Sequence, residues 1–264
     1  EIVSGTTPLQ NMKGEIEFKN VGFVYPDSGT KALDGINFKV SPGETLAIIG
    51  RTGSGKSTIA DLVCRLYDPT SGDVYLDGIN LKKLDLNALR GNTGYVPQEV
   101  FLFSDNIANN IAFGYSEEMP PFEKIVQAAK DAAIYDNIMD FPKQFETVLG
   151  ERGITLSGGQ KQRISIARAI IKKPKLMIFD DCLSAVDTET EEKILNSLDQ
   201  IGKQSTCIII SHRVSSVKNA NKIIVLDEGK IAEEGTHNQL IEAKGLYFDI
   251  YERQLLEDQK TAIN

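Results

Sequence analysis

A glycine-rich segment that ends in a lysine and two hydroxyl residues carries the clearest chemistry in this sequence. It is Gly50-Arg51-Thr52-Gly53-Ser54-Gly55-Lys56-Ser57-Thr58 and fits the pattern G-x-x-x-x-G-K-S/T. Glycines let the backbone wrap around phosphates so that successive amides and a helix N-terminus face the negative charge. Lys56 is expected to reach the β- and γ-phosphates of a nucleoside triphosphate, and the Ser57 hydroxyl to ligate Mg²⁺.

The segments on either side of this loop supply the context that a phosphate loop needs. Residues 44–50 form a continuous apolar run of the kind that is buried on both faces of a parallel sheet, and residues 56–66 follow as a predicted helix. The order of strand, loop and helix therefore favours a phosphate site over a glycine-rich turn that matches the pattern by chance.

An acidic residue at the end of a later apolar run is the expected metal partner. Leu176-Met177-Ile178-Phe179-Asp180 joins four apolar residues to a carboxylate. Open α/β sheets bind ligands at the carboxyl ends of their strands, and Mg²⁺ prefers carboxylate oxygens. Asp180 is predicted to hold Mg²⁺, directly or through water. The alternative, in which Asp180 only caps a helix, does not account for its pairing with the phosphate loop.

A second anion site is predicted where another helix, residues 160–172, begins. Leu156-Ser157-Gly158-Gly159-Gln160 places a serine N-cap and two glycines at that helix N-terminus. A single domain has little use for two such sites on one nucleotide unless the second binds the γ-phosphate held by a partner chain. Taken alone, the segment is equally compatible with a simple capping turn.

The hydrophobic pattern predicts the elements that position these residues. Residues 15–25 and 36–40 alternate as antiparallel strands do, and the apolar runs at 175–180, 206–211 and 222–226 indicate a parallel sheet with crossover helices. The predicted fold class is α/β, a P-loop NTPase core with a small antiparallel β subdomain and an inserted α-helical subdomain.

The inserted subdomain is predicted where the β pattern is lost. Helical spacing replaces it over residues 122–139 and 160–172. The expected division lists residues 1–14 as a linker, 15–97 and 173–246 as the nucleotide-binding core, 98–172 as the helical subdomain, and 247–264 as a C-terminal helix and tail.

Composition narrows the function classes. The chain has 264 residues, 41% of them hydrophobic, which is enough for one sizeable core with an insertion. A net charge of −8 opposes nucleic-acid binding, because phosphate backbones are held by clustered Lys and Arg. Cys64, Cys182 and Cys207 are widely spaced, which favours reduced core residues and a cytosolic compartment. The longest apolar stretches are of strand length, well below the roughly 20 residues that span a bilayer.

In this setting the sequence resembles the nucleotide-binding domain of ATP-binding cassette (ABC) transporters over about residues 14–240. The matching positions occur along this chain in the same order as in the family. They are Tyr25, the Walker A loop 50–58, Gln98, the signature motif Leu156-Ser157-Gly158-Gly159-Gln160, the Walker B aspartate Asp180, the D-loop Ser184-Ala185-Val186-Asp187 and the switch histidine His212.

The resemblance implies a role for each position. Tyr25 stacks on the adenine of ATP, Gln98 contacts Mg²⁺ and the attacking water, and His212 contacts the γ-phosphate. The D-loop lies across a dimer interface, and Ser157 with Gly159 binds the ATP of the partner chain. Each has a plainer alternative, with Tyr25 as a half-buried strand aromatic, Gln98 as a loop polar group and His212 as a cap after a strand.

Two loops resemble those of exporters in particular. Gly150-Glu151-Arg152-Gly153 and Phe101-Leu102-Phe103 are similar to segments that meet the coupling helices of a membrane part. The resemblance therefore implies a transmembrane domain as partner, with residues 1–14 as the linker that leads from it. It also implies a position at the cytoplasmic face of the cell membrane.

One position departs from the family pattern. The residue after the Walker B aspartate is Asp181, where the family has the glutamate that acts as general base. A base must come within about 2.6–3.2 Å of its water, and a well-placed base contributes roughly 10²–10⁴ in rate. Because the aspartate is one methylene shorter, we expect ATP and Mg²⁺ to bind while hydrolysis at this chain's own Walker site is slow.

This departure leads to the predicted assembly. In the family's head-to-tail dimer each ATP lies between the Walker motifs of one chain and the signature of the other. An intact signature beside an impaired base resembles one half of a heterodimeric exporter whose partner carries the glutamate. The competing hypothesis is a homodimer that hydrolyses slowly at both sites.

Two other function classes share some of these features. A regulatory module would bind ATP stably as a clamp with negligible turnover, and Asp181 is the residue that separates it from a motor. A soluble family member acting on DNA or ribosomes would need basic patches or long coiled-coil insertions, which the acidic balance and the exporter-like loops oppose.

Overall fold

The computed structural model describes residues 2–115, 119–150, 155–202 and 205–263, with side chains as far as residue 257. The strands among these residues are β1 Ile16–Val24, β2 Lys31–Val40, β3 Thr45–Gly50, β4 Ser71–Leu76, β5 Ile79–Asn80, β6 Thr93–Val96, β7 Leu176–Asp180, β8 Thr206–Ile210, β9 Lys222–Asp227 and β10 Lys230–Gly235. The helices are α1 Lys56–Val63, α2 Leu86–Gly91, α3 Ile107–Ala112, α4 Phe122–Asp131, α5 Tyr135–Met139, α6 Gly158–Ile170, α7 Thr188–Gly202, α8 Val214–Val217, α9 His237–Ala243 and α10 Leu246–Ile263.

A six-stranded sheet forms the centre of the molecule. Its strand order is β10-β9-β3-β8-β7-β6, with β10 antiparallel at one edge and the other five strands parallel. The parallel strands are apolar because helices or a second sheet cover both of their faces. Their carboxyl ends meet at one edge of the sheet, and the phosphate loop follows β3 at this edge.

The two faces of the central sheet pack against different partners. On β7, Leu176 and Ile178 join the core shared with α1 and the antiparallel sheet, whereas Met177 and Phe179 join the core of the helical region. This alternation follows from the two-residue period of a strand. The central sheet therefore belongs to both cores, and both fix the position of the strand that ends in Asp180.

A four-stranded antiparallel sheet packs on the face that carries α1, with strand order β2-β1-β4-β5. Its apolar residues alternate, so that Ile16 and Phe18 of β1 are buried in the shared core. Together with the central sheet and the helical region, it confirms the predicted α/β class with an antiparallel subdomain and a helical insertion.

The helical region corresponds to the segment in which the β pattern is lost. Helices α3, α4, α5 and α6 share one apolar core. The stretch of helical spacing over residues 122–139 divides into two helices, because α4 ends at Asp131 and α5 begins at Tyr135. Ala133 between them has a positive φ of 51°, which no α-helix can continue through. The exact domain boundaries stay a prediction.

Both ends of the described chain pack against the core. The amide of Gly5 donates to the carbonyl of Leu84 at 3.0 Å, Arg65 donates to the carbonyl of Val3 at 2.8 Å, and Met12 is buried. Helix α10 buries Tyr247 against β3 and β9. Within the described part of the chain, each helix is too short or too polar to cross a bilayer.

Candidate functional site

The phosphate loop is shaped by glycines that have no substitute. Gly55 has a φ of 99°, and a Cβ atom there would lie 2.4 Å from the carbonyl oxygen of Ala32 on β2. Gly53 also has a positive φ, 80°. The loop therefore closes tightly over β2 and turns into α1, whose N-terminus can face a phosphate.

Lys56 is held inside this loop. It is 6% exposed, and its Nζ atom donates to the carbonyl oxygens of Gly50 at 2.9 Å and Arg51 at 2.8 Å. Burial lowers the pKa of Lys56, and the nearby carboxylates of Asp181 and Asp180 act in the opposite direction. An ammonium group has three protons to donate, so one N–H of Lys56 remains for a phosphate oxygen.

A cleft of about 360 Å³ opens above the loop and brings the predicted nucleotide-site residues together. Five of them come from outside the phosphate loop, on four separate segments: Tyr25, Gln98, Asp180 with Asp181, and His212. The residues lining it are Tyr25, Thr30, Lys31, Ala32, Thr52, Gly53, Gly55, Lys56, Ser57, Thr58, Gln98, Asp180, Asp181, Ile210 and His212.

Asp180 has the features of a metal ligand. It is 3% exposed and shares a hydrogen bond with Ser57. Its Oδ1 atom is buried and has no hydrogen-bond partner among the described residues. Burial raises the pKa of Asp180 and the Ser57 hydrogen bond lowers it. A buried carboxylate oxygen without a partner is costly unless a cation or donor meets it, and a serine hydroxyl beside it completes an oxygen donor set that fits Mg²⁺.

Asp181 lies at the turn that ends β7. Its φ is 45°, in the left-handed region, and its amide donates to the carbonyl of Ile210 on β8 at 2.8 Å. Its Oδ2 atom accepts a hydrogen bond from Gln98 Nε2 at 3.4 Å and lies 4.0 Å from His212 Nε2. Two side chains from two other segments therefore converge on one carboxylate oxygen of Asp181 in the cleft.

Tyr25 lines the cleft beside the phosphate loop. Its hydroxyl is 3.0 Å from Oγ1 of Thr58, and its ring meets Phe23 and Tyr67 edge to face. Burial raises the pKa of Tyr25, so the phenol is neutral near pH 7. The ring is half-buried and stays beside the loop. Its stacking on adenine remains a prediction.

Two predicted loop residues have side chains outside the cleft. Arg51 lines a small separate cavity with Asp249 and Arg253 of α10, and contributes its carbonyl to Lys56. Ser54 is 4% exposed, and its hydroxyl has no hydrogen-bond partner among the described residues. Neither residue lines the nucleotide cleft, so their contact with a nucleotide stays a prediction.

The signature segment forms the predicted N-cap. Ser157 Oγ accepts from the amide of Gln160 at 3.2 Å, and Gln160 Oε1 accepts from the amide of Ser157 at 2.9 Å. This capping box starts α6 at Gly158. Leu156 is buried, whereas Ser157 and Gly158 are exposed.

The signature does not line the cleft that holds the phosphate loop. It lies instead against the D-loop. A Cβ atom on Gly159 would be 2.8 Å from the carbonyl oxygen of Ala185, whose amide donates to Gln162 at 3.3 Å. Ser184, Ala185 and Asp187 are exposed, so signature and D-loop form one continuous surface on the described part of the chain.

Asp187 also fixes the helix after the D-loop. Its Oδ1 atom accepts from the amide of Thr190 at 3.0 Å, which caps α7. This hydrogen bond holds the pKa of Asp187 below its usual range.

Two residues beside the cleft had no signal in the sequence analysis. Arg213 donates to the carbonyls of Ser184 at 2.9 Å and Val186 at 3.1 Å, which ties the segment after His212 to the D-loop. Gln254 on α10 contacts the backbone on both sides of Arg213. No motif could reveal them, because these contacts join segments that are distant along the chain.

The exporter-like loops are described only in part. Residues 151–153 lie outside the described residues. Phe101 is exposed, and its ring is 5.2 Å from that of Phe103, which in turn lies 4.4 Å from that of Phe113. The guanidinium of Arg168 lies 5.4 Å from the Phe103 ring. An exposed aromatic cluster of this kind is suited to contact another protein segment.

Comparisons with known proteins identify the family. The model of the ABC transporter family matches residues 33–184. The chain is 45% identical to the "ATP-dependent lipid A-core flippase" of Haemophilus influenzae (strain 86-028NP) over 251 residues, which cover 95% of this chain and 43% of that protein. It is also 45% identical to "ABC transporter B family member 4" of Dictyostelium discoideum, covering 96% of this chain and 33% of that protein.

A solved structure shares the fold. It is described as "Structure of a bacterial Atm1-family ABC exporter with ATP bound", with a TM-score of 0.87 and 39% identity over 95% of this chain and 45% of that one. The chain therefore spans less than half the length of these relatives. On the family match, the shared fold and the assembled cleft, the chain belongs to the ABC transporter family and forms its ATP-binding, ATPase domain.

Proposed function

We propose that this domain is the motor of an ABC exporter, which closes head to tail on a second nucleotide-binding domain with Mg-ATP between them. Separation after hydrolysis would then move a transmembrane domain at the cytoplasmic face of the cell membrane. The observation that carries the proposal is the separation of the chain's two nucleotide-contacting surfaces. The Walker residues line one cleft, while the signature and D-loop are exposed outside it.

Within the cleft, each residue has a proposed task. The loop amides and Lys56 bind the phosphates, and Ser57, Asp180 and Gln98 hold Mg²⁺, whose charge balances the phosphates. Asp181 receives a proton from the attacking water, and His212 contacts the γ-phosphate. The unpartnered Oδ1 atom of Asp180 supports the metal site, since a cation would satisfy it.

The short carboxylate of Asp181 supports slow hydrolysis at this chain's own site. Gln98 and His212 surround its Oδ2 atom, at 3.4 and 4.0 Å, and the carboxylate is one methylene shorter than a glutamate would be. We infer a heterodimer in which the partner supplies the glutamate at the other site. The names of the relatives, a lipid flippase and an ABC exporter, support a transport task.

The first experiment measures the Mg-ATPase rate against protein concentration for the 264-residue chain and for Asp181→Glu, with ATP affinity recorded alongside. We expect the wild type to bind ATP and turn it over slowly. Asp181→Glu should gain roughly ten-fold or more. Brisk wild-type turnover that the glutamate does not change would contradict the impaired base.

If the chain pairs with itself, as in the homodimer alternative, the head-to-tail arrangement is tested by complementation between two inactive variants. Lys56→Ala removes the phosphate-binding charge. Ser157→Asp keeps an N-cap for α6 and turns a negative charge toward the partner's γ-phosphate. In a head-to-tail pair, the intact Walker motifs of one variant meet the intact signature of the other. A mixture that regains activity supports this geometry, and one that stays as inactive as its components contradicts it for a self-pairing chain.

The heterodimer is tested by light scattering. Asp181→Asn with Mg-ATP should bind nucleotide without consuming it, so a self-complementary chain would accumulate as a dimer. We expect a monomer. A stable ATP-dependent dimer of this single chain would refute the heterodimer and leave the slow homodimer.

A regulatory clamp is the second candidate, and the shortened side chain of Asp181 is the observation that favours it. The clamp predicts tight ATP binding with negligible turnover in both the wild type and Asp181→Glu. The motor predicts that the glutamate restores turnover, so the first experiment separates the two.

A further inference from the structure

The side-chain amide of Gln254, on helix α10, bridges the two peptide groups that follow His212. Its Nε2 atom donates to the carbonyl oxygen of His212 at 2.5 Å, and its Oε1 atom accepts from the amide of Val214 at 2.8 Å. Gln254 lies 42 residues from His212 and is half-buried. One side chain thus holds the backbone on both sides of Arg213.

The segment after His212 depends on such support. Helix α8 is only four residues long, and its N-cap residue, Arg213, makes no side-chain capping hydrogen bond. The first amides of a helix have no partner within the helix. Gln254 supplies that partner for Val214 from another element. Val214 itself packs in the same apolar cluster as Tyr247 of α10, so the contact is continuous with a buried interface.

The ring of His212 gains its position mainly from this backbone. The side chain is 38% exposed, and its Nε2 atom lies 4.0 Å from Asp181 Oδ2, beyond an ordinary hydrogen bond. The backbone beside it is held by Ser211, whose Oγ accepts from the amide of Arg213 at 3.0 Å, and by Gln254. A small rotation of the His212 peptide would carry the ring away from the cleft.

We propose that Gln254 is a positioning residue that keeps His212 in reach of the γ-phosphate, so that the C-terminal helix contributes to the rate of ATP hydrolysis. The inference rests on the proposed function, in which His212 contacts that phosphate. A misplacement of about 1 Å in a reacting group can cost about 10²-fold in rate. The helix carrying Gln254 thereby becomes part of the machinery without touching the nucleotide.

The chemistry of the amide makes the proposal specific. Only a carboxamide offers a donor and an acceptor side by side. Gln254→Leu keeps the approximate size and removes both hydrogen bonds. Gln254→Glu keeps the acceptor for Val214 but sets a second acceptor against the His212 carbonyl. We expect Gln254→Leu to have the larger effect on the Val214 amide, and both variants to release the His212 carbonyl.

The direct test needs no nucleotide. Hydrogen exchange of the Val214 amide, measured on the 264-residue chain, should accelerate about ten-fold or more in Gln254→Leu and less in Gln254→Glu. In the same variants the kcat for ATP should fall about ten-fold, with ATP affinity within about two-fold of the wild type. Glu252→Leu, an exposed change on the same helix, is the matched control and should alter neither quantity.

A double-mutant comparison shows whether Gln254 acts through His212. In a His212→Ala background, Gln254→Leu should lower kcat no further, because the ring it positions is gone. A second, independent fall would mean that Gln254 only stabilises the fold and would overturn the inference. Unchanged Val214 exchange in both Gln254 variants would overturn it as well.

The proposed function fails in a different way. If His212→Ala retains full activity, the assigned role of His212 is wrong, although Val214 exchange still reports the Gln254 contact. If Gln254→Leu does not fold, Gln254→Glu takes its place in the measurements of Val214 exchange and kcat, since it keeps one of the two hydrogen bonds.

Discussion

Gln98 donates a long hydrogen bond, 3.4 Å, from Nε2 to Oδ2 of Asp181 across the nucleotide cleft. The two residues lie 83 positions apart in the chain. Gln98 follows β6 and Asp181 follows β7, two adjacent parallel strands, so the pairing of these strands sets the distance between the side chains. Gln98 therefore donates a hydrogen bond to the carboxylate of Asp181, the group that is expected to accept a proton from the attacking water.

Replacing Gln98 by leucine should therefore lower kcat more than ATP affinity. We expect a fall of about ten-fold in kcat, because Asp181 loses a donor that orients it and the Mg²⁺ site loses an oxygen. Steady-state kinetics with a fluorescent ATP analogue for binding separates the two quantities. Gln127→Leu, an exposed glutamine on α4, is the control. Equal losses of binding and kcat would argue against this role.

The left-handed backbone of Asp181 predicts a conflict between stability and activity. A φ of 45° is tolerated by Asp and Asn far better than by longer side chains. Asp181→Glu should therefore destabilise the fold by about 1 kcal/mol while it raises kcat. For a domain of this size that lowers Tm by about 2–4 °C. Asp181→Asn should keep the wild-type Tm and lose hydrolysis. Thermal unfolding of the wild type and of both variants measures these differences in Tm.

Asp61 on α1 should make stability depend on pH. Burial raises the pKa of Asp61 to about 6, and the charge of Asp180 adds to the shift. The native state then binds this proton more tightly than the unfolded chain, whose aspartates titrate near pH 3.9. Stability contributed by this group is therefore present below about pH 4 and is lost as pH rises to about 6.

Asp61→Asn is expected to raise Tm at pH 7.5 and to leave it nearly unchanged near pH 4, where the wild-type carboxyl is already neutral. Thermal unfolding followed by circular dichroism at both pH values measures the difference. Asp199→Asn, an exposed aspartate on α7, should give the same small shift at either pH. A rise in Tm from Asp61→Asn that does not vary with pH would contradict the raised pKa of Asp61.

Arg213 is expected to stabilise the fold through a buried carboxylate. Glu191 on α7 is 2% exposed, and its partners are Arg213 Nη1 at 3.1 Å, Ser215 at 3.3 Å and Ser216. Arg213→Ala leaves this carboxylate without its cation and should cost about 1–3 kcal/mol in urea unfolding. Adding Glu191→Gln to Arg213→Ala should recover part of the loss, because the buried charge is removed.

An exposed ion pair on α7, the helix that carries Glu191, provides the control for Arg213→Ala. Lys193 and Glu189 are 2.7 Å apart, with side chains 62% and 81% exposed. Lys193→Ala should therefore change the free energy of unfolding by less than about 0.5 kcal/mol. If Arg213→Ala is equally mild, the Glu191 carboxylate is satisfied by its serines alone.

Much of the site could be predicted from the sequence because its signals are local. The phosphate loop, the apolar run that ends in Asp180 and the Ser157 N-cap each lie within a few consecutive residues. Strand periodicity and glycine conformation act over the same short range. The three cysteines were also expected in the core, and they are free and buried.

Short or interrupted elements were not predicted, because their structure depends on contacts with distant parts of the chain. Strand β6 has four residues, one of them Gly94, and depends on pairing with β7. A Cβ atom on Gly94 would lie 2.7 Å from the carbonyl oxygen of Ala169, so the glycine is needed for packing against α6. The break at Ala133 between α4 and α5 likewise had no glycine or proline to mark it.

The sequence by itself determined the class of fold and the nucleotide loop, since neighbouring residues encode backbone conformation and strand burial. Only the tertiary structure decided that Gln98 reaches Asp181, that Arg213 ties the segment after His212 to the D-loop, and that Gln254 holds that segment from the last helix. The first contact joins side chains 83 residues apart, and the other two are hydrogen bonds to backbone groups, which almost any residue at the receiving position could supply. Such contacts leave no pattern along the chain and exist only once the sheet and helices have packed.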